Sequence, residues 1–338
     1  MEAEKSLRFS TPATSIKPDM HPFFLLREKL SLLQFDPQRD SPVSQQDFLK
    51  EYLQFYRLDF PDVLCKKHCI GTFEAANYTL SVQYWIPAQM PVKGTVFVLH
   101  GYYDHVGLFG HIIRFLLAQG FAVVAYDQPG HGLSSGEAAS INHFSEYAEV
   151  LQQCLKHSGA HFPKPWHGIG QSTGAAVLLH TLMVEKMTNP FHAMVLLAPL
   201  IRPRGWNAGV WSYRLLRHVV KKIPRHYTAN SNDESFVAFC KQQDPLQSRY
   251  LKVKWVGAMK EWLDQFPSLD LLSVPALLIQ GDADMTVDWQ KNVEMICRHL
   301  PLVKVIQISG ARHQLVNESE SLREQIFTPI GQFLLASE

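Results

Sequence analysis

From residue 94 onward, short apolar runs alternate with segments in which apolar residues recur at helical spacing. The strand-like runs are TVFVL (95–99), FAVVAYD (121–127), WHGIG (166–170), HAMVLLAPL (192–200), PALLIQG (275–281) and VKVIQIS (303–309). A run that is apolar throughout, such as TVFVL, is typical of a parallel strand buried on both faces. Strands that alternate with helices of this length indicate βαβ units with right-handed crossovers. We therefore predict an α/β fold with a mostly parallel central sheet flanked by helices.

The first part of the chain follows other patterns. Residues 1–40 mix polar and apolar residues and contain scattered prolines, which indicates an irregular N-terminal arm. Residues 44–57 carry aromatic residues at near-helical spacing and predict one amphipathic helix. These aromatic residues are Phe48, Tyr52 and Phe55. Residues 72–87 alternate apolar and polar positions on either side of Asn77, which predicts a hairpin of two antiparallel strands.

Residues 202–266 interrupt the alternation of strands and helices. They lie between the run that ends near Leu200 and the run that starts at Pro275, and they are too many for a loop inside a compact unit. We interpret them as an inserted helical cap. The chain then divides into an N-terminal arm and helix (1–70), a first part of the core (71–201), the cap (202–266) and a second part of the core (267–338).

Composition and charge exclude several classes of protein. Of the 338 residues, 46% are apolar and 19% are charged, which is a globular profile. The net charge of +1 gives the whole chain no general attraction for nucleic acid. The start has no apolar core of the length that a secretory signal needs, and no apolar run reaches the length of a membrane span. We expect a soluble cytoplasmic protein without a nucleic-acid partner.

The five cysteines are scattered and odd in number, which argues against a disulfide framework. Two of them belong to the cluster Cys65-Lys-Lys-His-Cys69, a spacing that could suggest a metal site. No second ligand pair at zinc spacing accompanies this cluster, so we interpret the cysteines as reduced thiols. We expect neither a metal nor a cofactor.

Residues 170–174, Gly-Gln-Ser-Thr-Gly, fit the pattern G-x-S-x-G between a predicted buried strand and a predicted helix. A sharp turn from strand to helix strains the backbone of its central residue, and small flanking residues avoid collisions in that turn. The pattern alone arises readily by chance, but this context indicates a nucleophile. We predict that Ser172 is the catalytic nucleophile and stands at the carboxyl edge of the sheet, where ligands of open α/β folds bind.

A serine hydroxyl needs a base that removes its proton, and the base needs an acid that orients it. In the strand–turn–helix arrangement, the acid and then the histidine follow the serine along the chain. His313 follows the last predicted strand and is the predicted base. Three aspartates lie near the turn after the run 275–281. We favour Asp284 as the acid, because Asp282 could simply make the turn and Asp288 could cap the next helix.

The oxyanion that forms on an attacked carbonyl needs backbone N–H donors. One predicted donor is Thr173, the residue after the nucleophile. The other is Tyr102, in the loop after the run 95–99, where Gly101 lets the backbone approach closely.

A second glycine-rich turn, residues 127–134, follows the run 121–127. We interpret it as structural support for the rim of the site. His131 in this turn precedes the nucleophile and suits a buried hydrogen-bonding role better than that of a second base.

Five motifs occur in the order HGYYDHVGLF, DQPGHGLSSG, GQSTG, QGDAD and GARH. Together they resemble the monoacylglycerol lipase and bacterial lysophospholipase branch of the α/β-hydrolases, which are serine aminopeptidase S33-type hydrolases. The resemblance covers roughly residues 70–335. It implies an α/β-hydrolase fold, a triad of Ser172, Asp284 and His313, and oxyanion donors at Tyr102 and Thr173.

The chain also departs from this branch. The motif around the serine more often reads G-H-S-M-G-G, whereas this chain has Gln171, Thr173 and Ala175. The oxyanion loop has two bulky tyrosines where small residues are common, which changes the expected shape of the acyl pocket. The N-terminal 70 residues fit the longer bacterial lysophospholipase-like proteins better than the shorter lipases.

The predicted cap is strongly basic. Between Arg202 and Lys260, twelve Lys or Arg residues stand against three acidic residues. The segment 211–222 places apolar residues on one helical stripe with cations elsewhere around the helix; these apolar residues are Trp211, Leu215 and Val219. Two interpretations stay open: the stripe packs on its own domain, or it lies in a membrane interface beside anionic lipid.

These residues predict a serine esterase that acts through an acyl-Ser172 intermediate on a small acyl ester or a lysolipid. If the stripe of the basic cap lies in a membrane interface, the contact would be peripheral and at the inner face of the membrane. An aminopeptidase or amidase of the same fold is the alternative, but it would need an acidic patch in the cap for a substrate ammonium group. A non-catalytic scaffold is a third possibility, and such proteins usually lack a triad residue. Because catalysis needs neutral His313, we expect activity to rise through roughly pH 6–7.

Overall fold

A sheet of eight strands forms the centre of the molecule in a computed structural model that describes residues 21–336. The strands in this part of the chain are β1 (Cys65–Ala75), β2 (Tyr78–Pro87), β3 (Thr95–Leu99), β4 (Ala122–Tyr126), β5 (Trp166–Gln171), β6 (Ala193–Leu197), β7 (Lys222–Pro224), β8 (Tyr250–Lys252), β9 (Ala276–Gly281) and β10 (Val303–Ile308). The large sheet has the order β1-β2-β4-β3-β5-β6-β9-β10, and β7 pairs with β8 in a separate sheet. The pairings β1–β2 and β2–β4 are antiparallel, and the other five in the large sheet are parallel. The predicted mostly parallel central sheet is confirmed.

Helices pack against both faces of this sheet. Those in the described residues are α1 (Pro22–Lys29), α2 (Lys50–Phe55), α3 (Gly110–Ala118), α4 (Ser145–Ser158), α5 (Thr173–Met183), α6 (Trp206–Leu216), α7 (Glu234–Gln242), α8 (Val253–Gln265), α9 (Trp289–His299) and α10 (Glu320–Ala336). Alternate residues of β3 enter two separate apolar clusters: Phe97 packs with α4 and α5, whereas Val98 packs with α3 and α10. None of the described helices combines the length and the apolar character that a bilayer crossing requires.

The predicted hairpin is confirmed and positions the first edge of the sheet. Ala75 of β1 pairs with Tyr78 of β2, and the two residues between them, Ala76 and Asn77, have φ of 49° and 63°. Two left-handed residues are the geometry of a tight two-residue β-turn. β1 begins at Cys65, so the strand is longer than the alternation of residues 72–87 indicates.

The single helix predicted over residues 44–57 is wrong. Two 3-10 turns, Val43–Gln45 and Asp47–Leu49, precede α2, and α2 begins only at Lys50. Gln46 between the turns has φ −125° and ψ 77°, which lies outside the helical region and separates the turns.

The irregular arm predicted over residues 1–40 is also corrected in part. α1 begins at Pro22, where proline at the first helical position loses no hydrogen bond, and His21 Nδ1 accepts from the backbone N–H of Phe23 at 3.3 Å. The prediction for residues 1–20 lies outside the described residues.

Between β6 and β9 the chain leaves the central sheet. Residues 202–266 hold α6, α7, α8 and the small β7–β8 sheet. On α8, Trp255, Met259 and Trp262 are buried against the core. We propose that residues 202–266 form a cap, inserted between core segments 71–201 and 267–338 and following the arm and helix of residues 1–70.

Candidate active site

Ser172 lies at the sharp turn from β5 into α5, at the carboxyl edge of the sheet. Its backbone has φ 54° and ψ −110°, a conformation that residues other than glycine rarely adopt. A Cβ atom on Gly170 would lie 2.4 Å from the backbone nitrogen of Ala175, and one on Gly174 would lie 2.2 Å from the carbonyl oxygen of Leu99. Only glycine fits at positions 170 and 174, two residues before and after Ser172. The strand–turn–helix context predicted from G-x-S-x-G is therefore the one observed.

The structure brings the predicted serine, histidine and aspartate together. Nε2 of His313 lies 2.9 Å from Oγ of Ser172, and Nδ1 of His313 lies 2.7 Å from Oδ2 of Asp284. The three residues come from the ends of β5, β9 and β10, and all three are buried. This geometry permits a proton to pass from the hydroxyl to the imidazole while the carboxylate holds the other ring nitrogen.

The hydrogen bonds of Asp284 distinguish it from the two other candidate aspartates. Its Oδ1 accepts from the backbone N–H of Thr286 at 2.7 Å and of Val287 at 3.2 Å. Burial alone would raise the pKa of this carboxyl, but the charge of His313 and these hydrogen bonds outweigh it, so the pKa lies below its ordinary value. The acid is therefore held ionised beside the imidazole.

The other two aspartates face elsewhere. Asp282 accepts from the backbone N–H of Gly310 at 2.7 Å, as expected for a residue that makes the turn. Asp288 precedes α9, but its side chain does not cap the helix; it forms ion pairs with Arg202 and Lys291, both at 3.3 Å. The suggestion that Asp288 caps this helix through its side chain is wrong, because these two cations occupy the carboxylate.

Two opposing effects set the basicity of His313. Burial lowers the pKa of the imidazole, but the charge of Asp284 and its hydrogen bond to the ring outweigh burial, and Asp104 adds to them. The pKa of His313 therefore lies above the ordinary 6.5.

Tyr102 and Thr173, the predicted oxyanion donors, line the same cavity as Ser172. Among the described residues, neither N–H donates to a protein acceptor. The ring of Tyr102 stacks on Trp255 of α8 with centroids 3.7 Å apart, and its hydroxyl donates to the carbonyl oxygen of Ala139 at 2.8 Å. The bulky side chain therefore points to the cap and leaves the backbone N–H available for an oxyanion.

The turn at residues 127–134 braces this oxyanion loop. The backbone N–H of Gln128 donates to Nε2 of His100 at 2.9 Å, and Oδ1 of Asp127 accepts from the N–H of Val106 at 2.7 Å. Nδ1 of His131 lies 2.8 Å from the carbonyl oxygen of Pro129, within its own turn. These contacts are structural, in agreement with the role proposed for the turn.

Two glutamines that the sequence analysis did not assign also support the site. Nε2 of Gln171 donates to the carbonyl oxygen of His313 at 2.8 Å and ties the histidine loop to the serine turn. Nε2 of Gln314 donates to both carboxylate oxygens of Asp104, at 3.0 and 2.9 Å. Burial raises the pKa of Asp104, opposed by this hydrogen bond and by nearby cations. Gln171 directly precedes Ser172, and Gln314 directly follows His313. This adjacency is the only feature of the sequence that could have indicated their supporting role.

A buried charged cluster connects the cap to the oxyanion loop. Nε2 of His105 lies 3.0 Å from Oδ2 of Asp244, and the hydroxyl of Tyr56 donates to Oδ1 of Asp244 at 2.8 Å. Burial opposes ionisation of Asp244, but His105 and the hydrogen bonds outweigh it and lower its pKa. The three residues come from the N-terminal arm, the core and the cap, and no sequence pattern joins them.

Ser172 and His313 open onto a cavity of about 200 Å³ beneath the cap. Its apolar lining residues are Leu200, Pro203, Trp255 and Met259. Its other lining residues are largely polar and include Tyr103, Asp104, Arg225, His226, Tyr227, Thr228, Asn230 and Gln314. The lining therefore offers contacts to both apolar and polar groups of a ligand.

The apolar stripe of the cap does not pack on the domain. Trp211 is 67% exposed, Leu215 is 63% exposed and Val219 is 82% exposed. The helix predicted over 211–222 ends earlier than expected, since α6 stops at Leu216 and Lys222 belongs to β7. The helix packs on its own domain through Trp206 and Val210, but the predicted apolar stripe is not the face that packs.

Comparison with known proteins places the chain in a family. A family model described as "Serine aminopeptidase, S33" matches residues 90–320. The human monoglyceride lipase is 27% identical over 265 residues, which cover 75% of this chain and 86% of the relative. Phospholipase YtpA of Bacillus subtilis is 23% identical over 264 residues, which cover 73% of this chain and 96% of the relative.

A solved structure shows the same fold. A soluble variant of the monoglyceride lipase from Saccharomyces cerevisiae, in complex with a substrate analogue, superposes with a TM-score of 0.69 at 17% identity, over 80% of this chain and 96% of that chain. The strand order, the serine turn and the family match agree with each other. The chain belongs to the serine aminopeptidase S33 family and has the α/β-hydrolase fold.

Proposed function

We propose that the protein hydrolyses carboxylic esters of lipids, with Ser172 as nucleophile, His313 as general base and acid, and Asp284 as the residue that orients the imidazole. The observation that carries this proposal is the pair of hydrogen bonds made by His313, from Nε2 to Oγ of Ser172 at 2.9 Å and from Nδ1 to Oδ2 of Asp284 at 2.7 Å. Ser172 and His313 line a partly apolar cavity. Relatives named as lipases and a phospholipase support a lipid ester as the substrate.

The reaction divides into two transfers of the acyl group. Nε2 of His313 takes the proton of Ser172 as Oγ attacks the ester carbonyl, and the N–H groups of Tyr102 and Thr173 stabilise the oxyanion. The imidazolium then gives its proton to the departing alcohol, which leaves an acyl-Ser172 ester. A water molecule, deprotonated by His313, attacks this ester, and the proton returns to Oγ as the carboxylic acid leaves.

The test compares Ser172→Ala with the unaltered protein on monoacylglycerols, lysophospholipids and p-nitrophenyl esters, alongside labelling by a fluorophosphonate probe. We expect the unaltered protein to label and to hydrolyse lipid esters, and Ser172→Ala to lose both. Ser268→Ala is the matched control, because Ser268 is exposed and bonds only the carbonyl oxygen of Gln265. Labelling of Ser172→Ala at the normal rate would contradict the proposal.

The alternative peptide chemistry is not favoured. An aminopeptidase needs a carboxylate free to bind the substrate's ammonium group. Among the residues of the cavity, the acidic side chain is that of Asp104, whose burial raises its pKa and disfavours the charged form, and the cap contributes the cation Arg225 to the same lining. A scaffold without activity is also disfavoured, because the three triad positions are filled and aligned.

We further propose that the exposed stripe of the cap contacts lipid surfaces at the membrane. Trp211, Leu215 and Val219 are exposed apolar residues of one short segment, and Leu216 in the same segment is 45% exposed. Cations neighbour them in the sequence at Arg214, Arg217, Lys221 and Lys222. Apolar and aromatic side chains ringed by cations are typical of segments that lie in a bilayer interface. Such contact would deliver an amphiphilic substrate to the cavity beneath.

A further inference from the structure

Arg225 brings an unpaired cation to the cavity of Ser172. It follows β7 in the cap and lines the same cavity as Ser172 and His313. Within the described residues, its guanidinium makes one hydrogen bond, from Nη1 to Oε1 of Gln247 at 2.6 Å, and it takes part in no ion pair. Since a guanidinium carries five N–H donors, most of them remain available to a ligand.

Two aromatic rings hold this guanidinium in place. Cζ of Arg225 lies 4.0 Å from the ring centroid of Tyr103 and 4.5 Å from that of Tyr227. Tyr103 has φ of 72°, a conformation that is strained for a bulky residue. It directly follows Tyr102, so the loop that supplies an oxyanion donor also supplies the surface under the guanidinium. The cation is therefore fixed relative to Ser172 before any substrate arrives.

The charges around Arg225 favour an anion. Asp104, on the same cavity wall, lies near enough for the charge of Arg225 to lower the pKa of its carboxyl, but burial outweighs this effect and raises that pKa, and the two side chains form no direct ion pair. The segment from Arg202 to Lys260 has nine more basic than acidic residues. A half-buried cation that is held in no direct ion pair, in a basic segment, attracts an anionic ligand group.

We propose that Arg225 binds the phosphate in the alcohol part of the substrate, so that phosphate-bearing lysolipids are preferred over neutral acylglycerols. This rests on the proposed ester hydrolysis at Ser172 and names its substrate class. Arginine pairs with phosphate oxygens through two parallel N–H···O bonds. The polar lining residues with Arg225 would then hold the head group, and Leu200, Trp255 and Met259 the acyl chain.

Binding of uncleavable ligands tests the site independently of hydrolysis. In the Ser172→Ala background, titration calorimetry compares 1-O-hexylglycerol 3-phosphate, 1-O-hexylglycerol and inorganic phosphate. We expect the ether phosphate to bind at least tenfold more tightly than the other two, and Arg225→Gln to abolish this preference. Lys254→Gln is the matched control, since Lys254 is an exposed cap cation that does not line the cavity.

Three results would overturn the inference. These are equal affinity for the two ethers, the same loss in Lys254→Gln as in Arg225→Gln, and inorganic phosphate binding as tightly as the ether phosphate. The last result would mean a free-phosphate site rather than a head-group site.

Hydrolysis of short esters separates this inference from the proposed function. Butyrylglycerol and its 3-phosphate stay dissolved as single molecules, so lipid surfaces play no part. We expect Arg225→Gln to lower kcat/KM at least tenfold more for the phosphate ester than for the neutral ester, mainly through KM. An equal loss on both esters would make Arg225 a structural residue and overturn the inference. If the phosphate preference in binding holds but the unaltered protein cleaves no ester, the proposed function fails and the anion site stands.

Discussion

The catalytic edge of the sheet and the outer helix of the cap place their side chains in opposite environments. At the edge, Ser172, Asp284 and His313 are buried and bonded to one another. On α6, Trp211 and Leu215 are more than half exposed. The edge residues follow strands of one sheet, whose pairing fixes where each loop begins, whereas α6 belongs to an insertion outside that sheet. The side chains at the edge are held in a fixed geometry, whereas the outer cap presents exposed apolar side chains.

The largest effect on activity should come from a substitution in the triad at the catalytic edge. Asp284→Asn keeps the shape of the side chain but removes the charge that orients His313, and we expect kcat to fall about 10⁴-fold. Asp282→Asn is the control in the same turn, since Asp282 bonds Gly310 and not the imidazole. Initial rates on a p-nitrophenyl ester measure both variants. Equal losses of kcat in the two variants would mean that Asp284 has no special role in orienting His313.

The next largest effect concerns the buried ion pair between Asp244 of the cap and His105 of the core. Asp244→Ala leaves His105 and Tyr56 without their buried partner, so we expect the free energy of unfolding to fall by about 3–5 kcal/mol. Asp264→Ala breaks an exposed pair with Lys260 in the same cap and should cost less than about 1 kcal/mol. Urea denaturation measures both. A small effect in both variants would show that the cap has no buried electrostatic anchor.

The pH dependence of activity tests the electrostatics of the edge. Only neutral His313 accepts the proton of Ser172, and its pKa is raised above 6.5, chiefly by Asp284 acting against burial. We therefore expect kcat/KM to increase with pH with a midpoint above 6.5, higher than an unperturbed histidine would give. Asp284→Asn should lower that midpoint by about one unit or more. Rates on a soluble ester between pH 5 and 9 provide the profile, and a flat profile from pH 5 to 8 would contradict the role of His313.

The smallest effect on the folded protein should come from the cap surface. Leu215→Glu alters an exposed residue, so the unfolding free energy should change by no more than about 0.5 kcal/mol and soluble esters should be cleaved at the normal rate. Binding to anionic vesicles, measured by sedimentation, should fall several-fold. Leu302→Glu, which alters a residue that is 52% exposed outside the cap, is the control. Equal losses of vesicle binding would argue against a specific patch.

The difference between the two regions also explains what the sequence could predict. Ser172 and His313 each follow a recognisable apolar strand, so their edge of the sheet could be predicted. Spacing alone does not separate Asp282, Asp284 and Asp288, because all three lie in one short segment; the sequence favoured Asp284 only through the roles expected of the other two and through the family resemblance. The N–H groups of Thr286 and Val287 hold Asp284 toward His313, and this depends on the folded turn.

Elements away from the sheet were harder to predict. The aromatic spacing of residues 44–57 matches a helix, but this spacing does not reveal that the backbone of Gln46 is non-helical. The environment of Arg225 is assembled from Tyr103, Tyr227 and Gln247, which belong to separate segments. Such contacts arise only when the cap folds onto the core.

The stack of Tyr102 on Trp255 has a consequence for the design of chimeras. Tyr102, the proposed oxyanion donor, stacks on Trp255 of α8, so we expect its loop and α8 to behave as one module. A cap transplanted from another family member would bring its own residue to the position of Trp255, and Tyr102 would lose its stacking partner. Exchange of substrate preference between relatives therefore requires moving loop and cap together.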